Sequence, residues 1–215
     1  IMRVPAAREA SAPGAYYSTP PLDGSRPGIF WINAPDNRYV SFVGIPTLAF
    51  HEGYPGHHFQ KAIQSELQDV PTFRRAIGFT AYAEGWALYV ERLAWEQGYY
   101  EDDPFGNWGR LQSELFRAVR LVVDTGIHQM GWTRQEAIDY MAETLNWSPE
   151  SVTAEVERYI VWPGQATSYK VGELMILNLR EKAQTALGSR FDLAEFHTLI
   201  LQNGDVPLSI LEQVV

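Results

Sequence analysis

From Pro46 onward the sequence keeps one rhythm, with apolar positions three and four residues apart, broken by glycine, proline and capping residues. Strands need a period of two, so this rhythm commits most of the chain to helices. Pro46 suits a first helical turn, where its missing N–H has no helical partner to lose. A second helix is predicted from about Thr72 to Gln97, stopped by Gly98, and a third from about Trp108 to Gln129, ending before Gly131. Thr133 and Glu136 have the spacing of a capping box and open a helix from Arg134 to Leu145. Ser148-Pro149-Glu150 opens another, reaching about Val161 before Trp162-Pro163-Gly164. A long helix follows from about Ala166 to Leu187, with Gly188 after it. Asp192 caps a short helix to Gln202, and Ser209 to Val214 form a last turn.

Residues 1–45 read differently, as an extended, turn-rich segment ahead of a helical domain over residues 46–215. Pro13-Gly14, Pro20-Pro21, Asp23-Gly24 and Pro27-Gly28 punctuate it. Ile29–Ile32 and Tyr39–Val43 read as two short strands, a hairpin or sheet edge, joined by the Ala34-Pro35-Asp36-Asn37 turn. The expected fold is mainly α, with this small β region near its start. A 215-residue chain that is 46% hydrophobic can bury a sizeable core. Its net charge of −9 argues against a general nucleic-acid binder, which needs a basic face. The lack of cysteine excludes disulfides, thiolate zinc sites and cysteine nucleophiles. No apolar run approaches the roughly 20 residues of a membrane span. Because Ile1 is not a natural start, the chain is expected to be part of a longer protein, whose export signal could lie upstream.

The densest chemistry is His51-Glu52-Gly53-Tyr54-Pro55-Gly56-His57-His58, with three of the five histidines in eight residues. In the familiar H-E-x-x-H zinc helix the ligands are four apart and share a face. Here His57 and His58 follow His51 by six and seven. On a straight helix His58 would lie roughly 10 Å along the axis, too far to share an ion whose ligand bonds are about 2 Å. Pro55 cannot donate to the His51 carbonyl and its ring clashes with it, while Gly56 permits unusual backbone. A broken turn at Pro55-Gly56 is therefore expected to swing one of the two histidines toward His51, and the spacing does not say which. Glu84 and Glu91, seven apart, share a face of the second helix among alanine and other apolar residues, a poor home for carboxylates without a cation.

Further along, Arg120, Asp124 and His128 stack on one helix face. They read as an internal salt bridge or as groups orienting a ligand or substrate. Gln165, Tyr169 and Lys170 follow the Trp162-Pro163-Gly164 break, where the Tyr169 hydroxyl could donate to an oxyanion. No Gly-rich phosphate loop and no serine nucleophile elbow is present. Gly85, Gly126 and Gly172, isolated in helical patterns, are expected at close helix contacts.

His51 to Gln60, followed by Glu84-Gly85-Trp86-Ala87-Leu88-Tyr89, resembles the bacterial family called domain of unknown function 885. Tyr16-Tyr17 to Asn33, Arg120 to Asp124 with His128, and Pro163-Gly164-Gln165 with Tyr169 resemble further blocks of it, so the likeness covers almost the whole chain. The resemblance implies a helical, zincin-like fold of the glutamate-ligand zinc metallopeptidase type. It implies His51, His57 and Glu84 as zinc ligands and Glu52 as general base, with His58, Glu91 and Asp124 around them. It also implies a longer parent protein, exported or lipoprotein-anchored, whose N-terminal region completes the cleft. On this reading Tyr169, or His128, steadies the oxyanion, and Arg120 and Gln165 face a peptide or small-molecule substrate. The expected activity is zinc-dependent hydrolysis of short peptides. The alternatives are a non-catalytic metal- or peptide-binding protein and a metal-dependent hydrolase of other amides or esters.

Overall fold

Two helices, Thr80–Glu96 (α4) and Gln165–Leu187 (α8), lie side by side at the centre of the molecule in a computed structural model that describes residues 1–9, 12–34, 42–68 and 70–215. Their backbones approach closely at Gly85 and Gly172. A Cβ on Gly85 would sit 2.5 Å from the Gly172 carbonyl carbon, and one on Gly172 would sit 2.7 Å from the Gly85 Cα. Any side chain here would force the helices apart, as the isolated glycines foretold.

The pair separates two apolar cores. On one side Tyr82, Trp86 and Tyr89 of α4 meet Ile176 and Leu179 of α8, with Phe196 and Ile200 of Leu193–Leu201 (α9) and Leu211 of Leu208–Val214 (α10). On the other, Val119 and Val123 of Pro104–His128 (α5) meet Met141 of Arg134–Leu145 (α6), Val156 of Pro149–Val161 (α7) and Ala166 of α8. Each large apolar side chain so buried contributes about 1.5–3 kcal/mol relative to exposure.

Most helix limits fall where capping chemistry puts them. Thr133 and Glu136 form the reciprocal capping box of α6, and Ser148 and Asp192 cap α7 and α9. Helix α5 begins four residues before Trp108, because Asp103 accepts from the Gly106 N–H (2.8 Å) and Pro104 occupies the first turn. The helix expected over Thr72 to Gln97 is two, Thr72–Ala76 (α3) and α4, with extended residues between them. Tertiary partners replace the helical bonds at this break. Gln64 donates to the Arg74 and Ile77 carbonyls (both 3.0 Å), and the Phe79 N–H donates to Asp205 (3.2 Å).

Near the start, Ile29–Ile32 (β3) is a strand as expected, but its described partners are Ala15–Ser18 (β2), antiparallel, and Met2–Arg3 (β1), parallel. The register sets Tyr16 opposite Trp31 and Tyr17 opposite Phe30. The strand expected at Tyr39–Val43 and its Ala34-Pro35-Asp36-Asn37 turn fall mainly on residues 35–41, outside those described. Phe42 and Val43 lie in the turn entering Ile45–Glu52 (α1). The sheet meets α1 through β2, so it forms a wall beside the first helix. No helix of the described residues is long and apolar enough to cross a membrane.

Candidate metal centre

Helix α1 ends at Glu52, and only four residues separate it from the next helix, His57–Glu66 (α2). The intervening turn contains a cis Tyr54–Pro55 bond and turns the chain back toward α1. Gly56 is required here by space. A Cβ would lie 2.5 Å from the His51 carbonyl carbon and against the carbonyl oxygens of Phe50 and His51. Its φ of −76° is not left-handed, and its ψ of −136° lies outside both the helical and the extended ranges, in keeping with the unusual backbone expected there. Trp86 Nε1 donates to the Pro55 carbonyl (2.9 Å), clamping the turn onto α4 two residues beyond Glu84.

This turn decides between the two histidines. The His57 and His51 rings approach edge to face with centroids 4.9 Å apart. His58 points to the sheet instead, its Nδ1 3.0 Å from the Tyr17 hydroxyl, so its expected place around the metal ligands is corrected. From α4, Glu84 Oε2 reaches both rings, 3.5 Å from His51 Nε2 and 3.2 Å from His57 Nε2. Donor atoms about 2.0–2.1 Å from a tetrahedral ion are about 3.3–3.4 Å apart, and these two edges match that spacing. All three donor atoms lie within 4.8 Å of one another. Two imidazoles and a carboxylate are a donor set for zinc, and equally for cobalt or manganese.

Behind this set, His51 Nδ1 lies 2.7 Å from Glu91 Oε1. Glu91 in turn accepts from Ser113 (2.8 Å) and pairs with Arg117 Nη2 (3.4 Å), both on α5. Burial opposes charge on His51, but the hydrogen bonds it donates to Glu84 and Glu91 outweigh it and raise its pKa to about 9. Burial likewise opposes charge on Glu84, and the two imidazoles hold it well below the usual carboxylate range. Glu52 is buried beside His51, and its Oε2 has no hydrogen-bond partner among the described residues. That orphaned oxygen is costly unless water or a ligand meets it.

His51, Glu52, His57 and Glu84 open into one cavity of about 1130 Å³. Tyr169 forms its far wall, its ring stacked 6.2 Å from that of His51. Burial, followed by the Glu84 charge, raises the Tyr169 hydroxyl above its usual pKa and keeps its proton in place. Gln165 lies beside it, with Nε2 3.4 Å from the Tyr169 hydroxyl. Arg120 stacks on the Tyr169 ring at 4.8 Å, whereas Lys170 is turned away to Glu114 and Glu173. A smaller cavity of about 470 Å³ on the other side of the Pro55 turn is lined mostly by apolar side chains such as Phe59, Trp86 and Leu93, with His197 among them.

Two further expectations are corrected. Asp124 accepts from the backbone N–H groups of Gly164 (3.0 Å) and Thr167 (3.3 Å), satisfying orphan donors at the start of α8. It therefore positions the helix bearing Gln165 and Tyr169, and it neither orients a metal ligand nor pairs with Arg120. His128 Nε2 lies 2.9 Å from the Tyr159 carbonyl, on the α7 side, and His128 does not line the cavity. Sequence reading also missed Arg117, Glu155 and Arg158, which line it. The spacing of Arg117 three residues before Arg120 could have flagged it. Nothing in the sequence says that α7 presents Glu155 and Arg158 to the site.

No curated protein matches the chain. A solved structure named a "putative lipoprotein", from Colwellia psychrerythraea, is 51% identical over the whole chain, with a TM-score of 0.96. A second, a "putative lipoprotein of unknown function" from Shewanella oneidensis, is 26% identical over 94% of the chain, with a TM-score of 0.82. The chain spans only 37% and 39% of the lengths of these two relatives. With a family model matching residues 1–215 throughout, the chain belongs to the family described as "Bacterial protein of unknown function (DUF885)".

Proposed function

We propose that this chain carries the catalytic centre of a zinc-dependent peptidase of the glutamate-ligand type, acting on short peptides. The observation that carries the reading is the convergence of His51, His57 and Glu84 beside a buried, unpartnered Glu52 in one cavity. The donor spacing fits zinc. When bound, that ion supplies a water of near-neutral pKa and polarises a carbonyl oxygen.

The chain's own residues supply the rest. Glu91 fixes the His51 ring through Nδ1, leaving Nε2 directed at Glu84 and the cavity. Glu52 takes up the proton of the attacking water at its free oxygen and returns it to the leaving amine. Tyr169, its proton retained, donates to the oxygen that becomes negative. Gln165 and Arg120 face the substrate. In a protein as long as the solved relatives, further chain completes the cleft, and the lipoprotein names of those relatives favour an exported location.

The test is zinc content and hydrolysis of a short-peptide library. Glu52→Gln is expected to retain one equivalent of zinc while losing about 10²–10⁴-fold in rate. Full activity in that variant, or protein that takes up no zinc, refutes the proposal.

A further inference from the structure

Apart from Glu52 and Glu84 beside the histidines, most charges lining the large cavity are paired one to one. Lys61 pairs with Asp205 (2.7 Å), Arg117 with Glu91 (3.4 Å), and Glu157 with Arg134 (2.6 Å). One group is out of balance. Arg120 Nη2 and Arg158 Nη2 both lie 2.9 Å from the same oxygen, Glu155 Oε2, which also accepts from the Tyr159 hydroxyl at 2.8 Å. Two guanidinium groups thus share one carboxylate, leaving one positive charge in excess on this stretch of the cavity wall, across from the Glu52 and Glu84 carboxylates.

Arg120 is also held still. Its guanidinium lies over Phe116 (4.1 Å) and Tyr169 (4.8 Å), and its Nε donates to the Tyr159 hydroxyl (3.0 Å). Its Nη1 makes no hydrogen bond among the described residues. A planar, fixed guanidinium with a spare edge suits recognition of a carboxylate. Tyr169 is the ruler between this group and the metal ligands. Steps of 6.2 Å from His51 to Tyr169 and 4.8 Å from Tyr169 to Arg120 put the guanidinium within about 11 Å of the His51 ring, where each extended residue spans ~3.3–3.6 Å.

We propose, resting on the peptidase reading, that Arg120 and Arg158 form a receptor for the free C-terminal carboxylate of the substrate, so that cleavage falls one to three residues from that end. Water adds its oxygen to the scissile carbonyl carbon, the C–N bond breaks, and the amine released carries the C-terminal residue or residues together with the proton passed by Glu52. Arg158, on α7, is the specificity residue that the sequence did not reveal. An ion-pair network that only holds α5 to α7 would make no distinction between a peptide acid and its amide.

Binding separates the two ideas, because it needs no turnover. Trialanine and trialanine amide are titrated calorimetrically into Glu52→Gln protein, with and without one equivalent of zinc. The acid is expected to bind at least 10-fold more tightly than the amide, and the ratio to fall to within about 2-fold in Arg158→Gln and in Arg120→Lys. Arg158 is partly exposed, so its variant remains informative if the Arg120 variant does not fold. Equal binding of acid and amide, or binding of neither at millimolar concentration, overturns the receptor. Protein that takes up no zinc yet still prefers the acid supports the receptor and refutes the peptidase reading.

Discussion

Substitution of Gly85 by alanine sets two effects of opposite sign against each other. In a helix interior alanine is favoured over glycine by about 0.8–1 kcal/mol, so propensity alone predicts a more stable protein. Against that, the new methyl carbon would lie 2.5 Å from the Gly172 carbonyl carbon and 2.9 Å from the Glu173 nitrogen. Carbon atoms rest about 3.5–4.0 Å apart, so α4 and α8 would have to separate by about an ångström. Overpacking costs about 1–3 kcal/mol, and the upper end applies because the obstacle is backbone that cannot rotate away. The net is about 2 kcal/mol of destabilisation, or a fall in Tm of about 4–8 °C for a chain of this size. Urea and thermal unfolding followed by circular dichroism measure it. Gly14→Ala, whose methyl would meet nothing within 4 Å, serves as the near-neutral control. A Gly85→Ala protein as stable as the parent, or more so, would refute the close approach that sets Glu84 against the α8 wall.

Three other outcomes follow from the same geometry. Glu91→Gln is expected to weaken zinc binding by about 10–100-fold in a chelator competition, since Glu91 holds the far nitrogen of His51; unchanged affinity removes it from the site. Asp124→Ala should cost about 1–2 kcal/mol in urea unfolding by exposing two donors at the start of α8, yet leave zinc affinity within about 2-fold; a metal defect as large as that of Glu91→Gln would return Asp124 to the ligand shell. Burial, then the Arg180 charge, lowers the His197 pKa to about 4. Its unfolded value is near 6.5, so between these limits the unfolded state binds the extra proton. The stability from neutral His197 is thus complete above about pH 6.5 and declines toward pH 4, by about 1 kcal/mol after allowance for partial solvation. Comparing urea midpoints of the parent and His197→Gln at pH 7.5 and 4.5 tests this, and identical pH slopes count against it.

Local chemistry made the helices legible. Thr133 with Glu136, Ser148 before Pro149, and Asp192 bond only to residues three positions away, so their spacing is a sufficient signal. The same holds for the interruption at Pro55-Gly56, where a missing donor and a ring clash forbid a continued helix whatever surrounds it. Gly85 and Gly172 announced a close contact without naming each other. The break at Ile77-Gly78-Phe79 was invisible, because the groups that satisfy its backbone, Gln64 and Asp205, are distant in sequence.

The site divides along the same line. Sequence alone was enough to bring forward His51, Glu52, Glu84 and Glu91 as residues whose charges and lone pairs demand partners in apolar surroundings. Spacing left His57 and His58 open and the family resemblance favoured His57, but the physical reason lies in the folded chain, since the direction taken after the turn depends on Trp86 holding the Pro55 carbonyl from another helix. Likewise only packing sent Asp124 to the start of α8 and His128 toward α7, and brought Glu155 and Arg158 to the cavity wall. A spacing of three or four places residues on one face of a helix, but which neighbour that face meets is decided by the long-range burial of the whole set of helices.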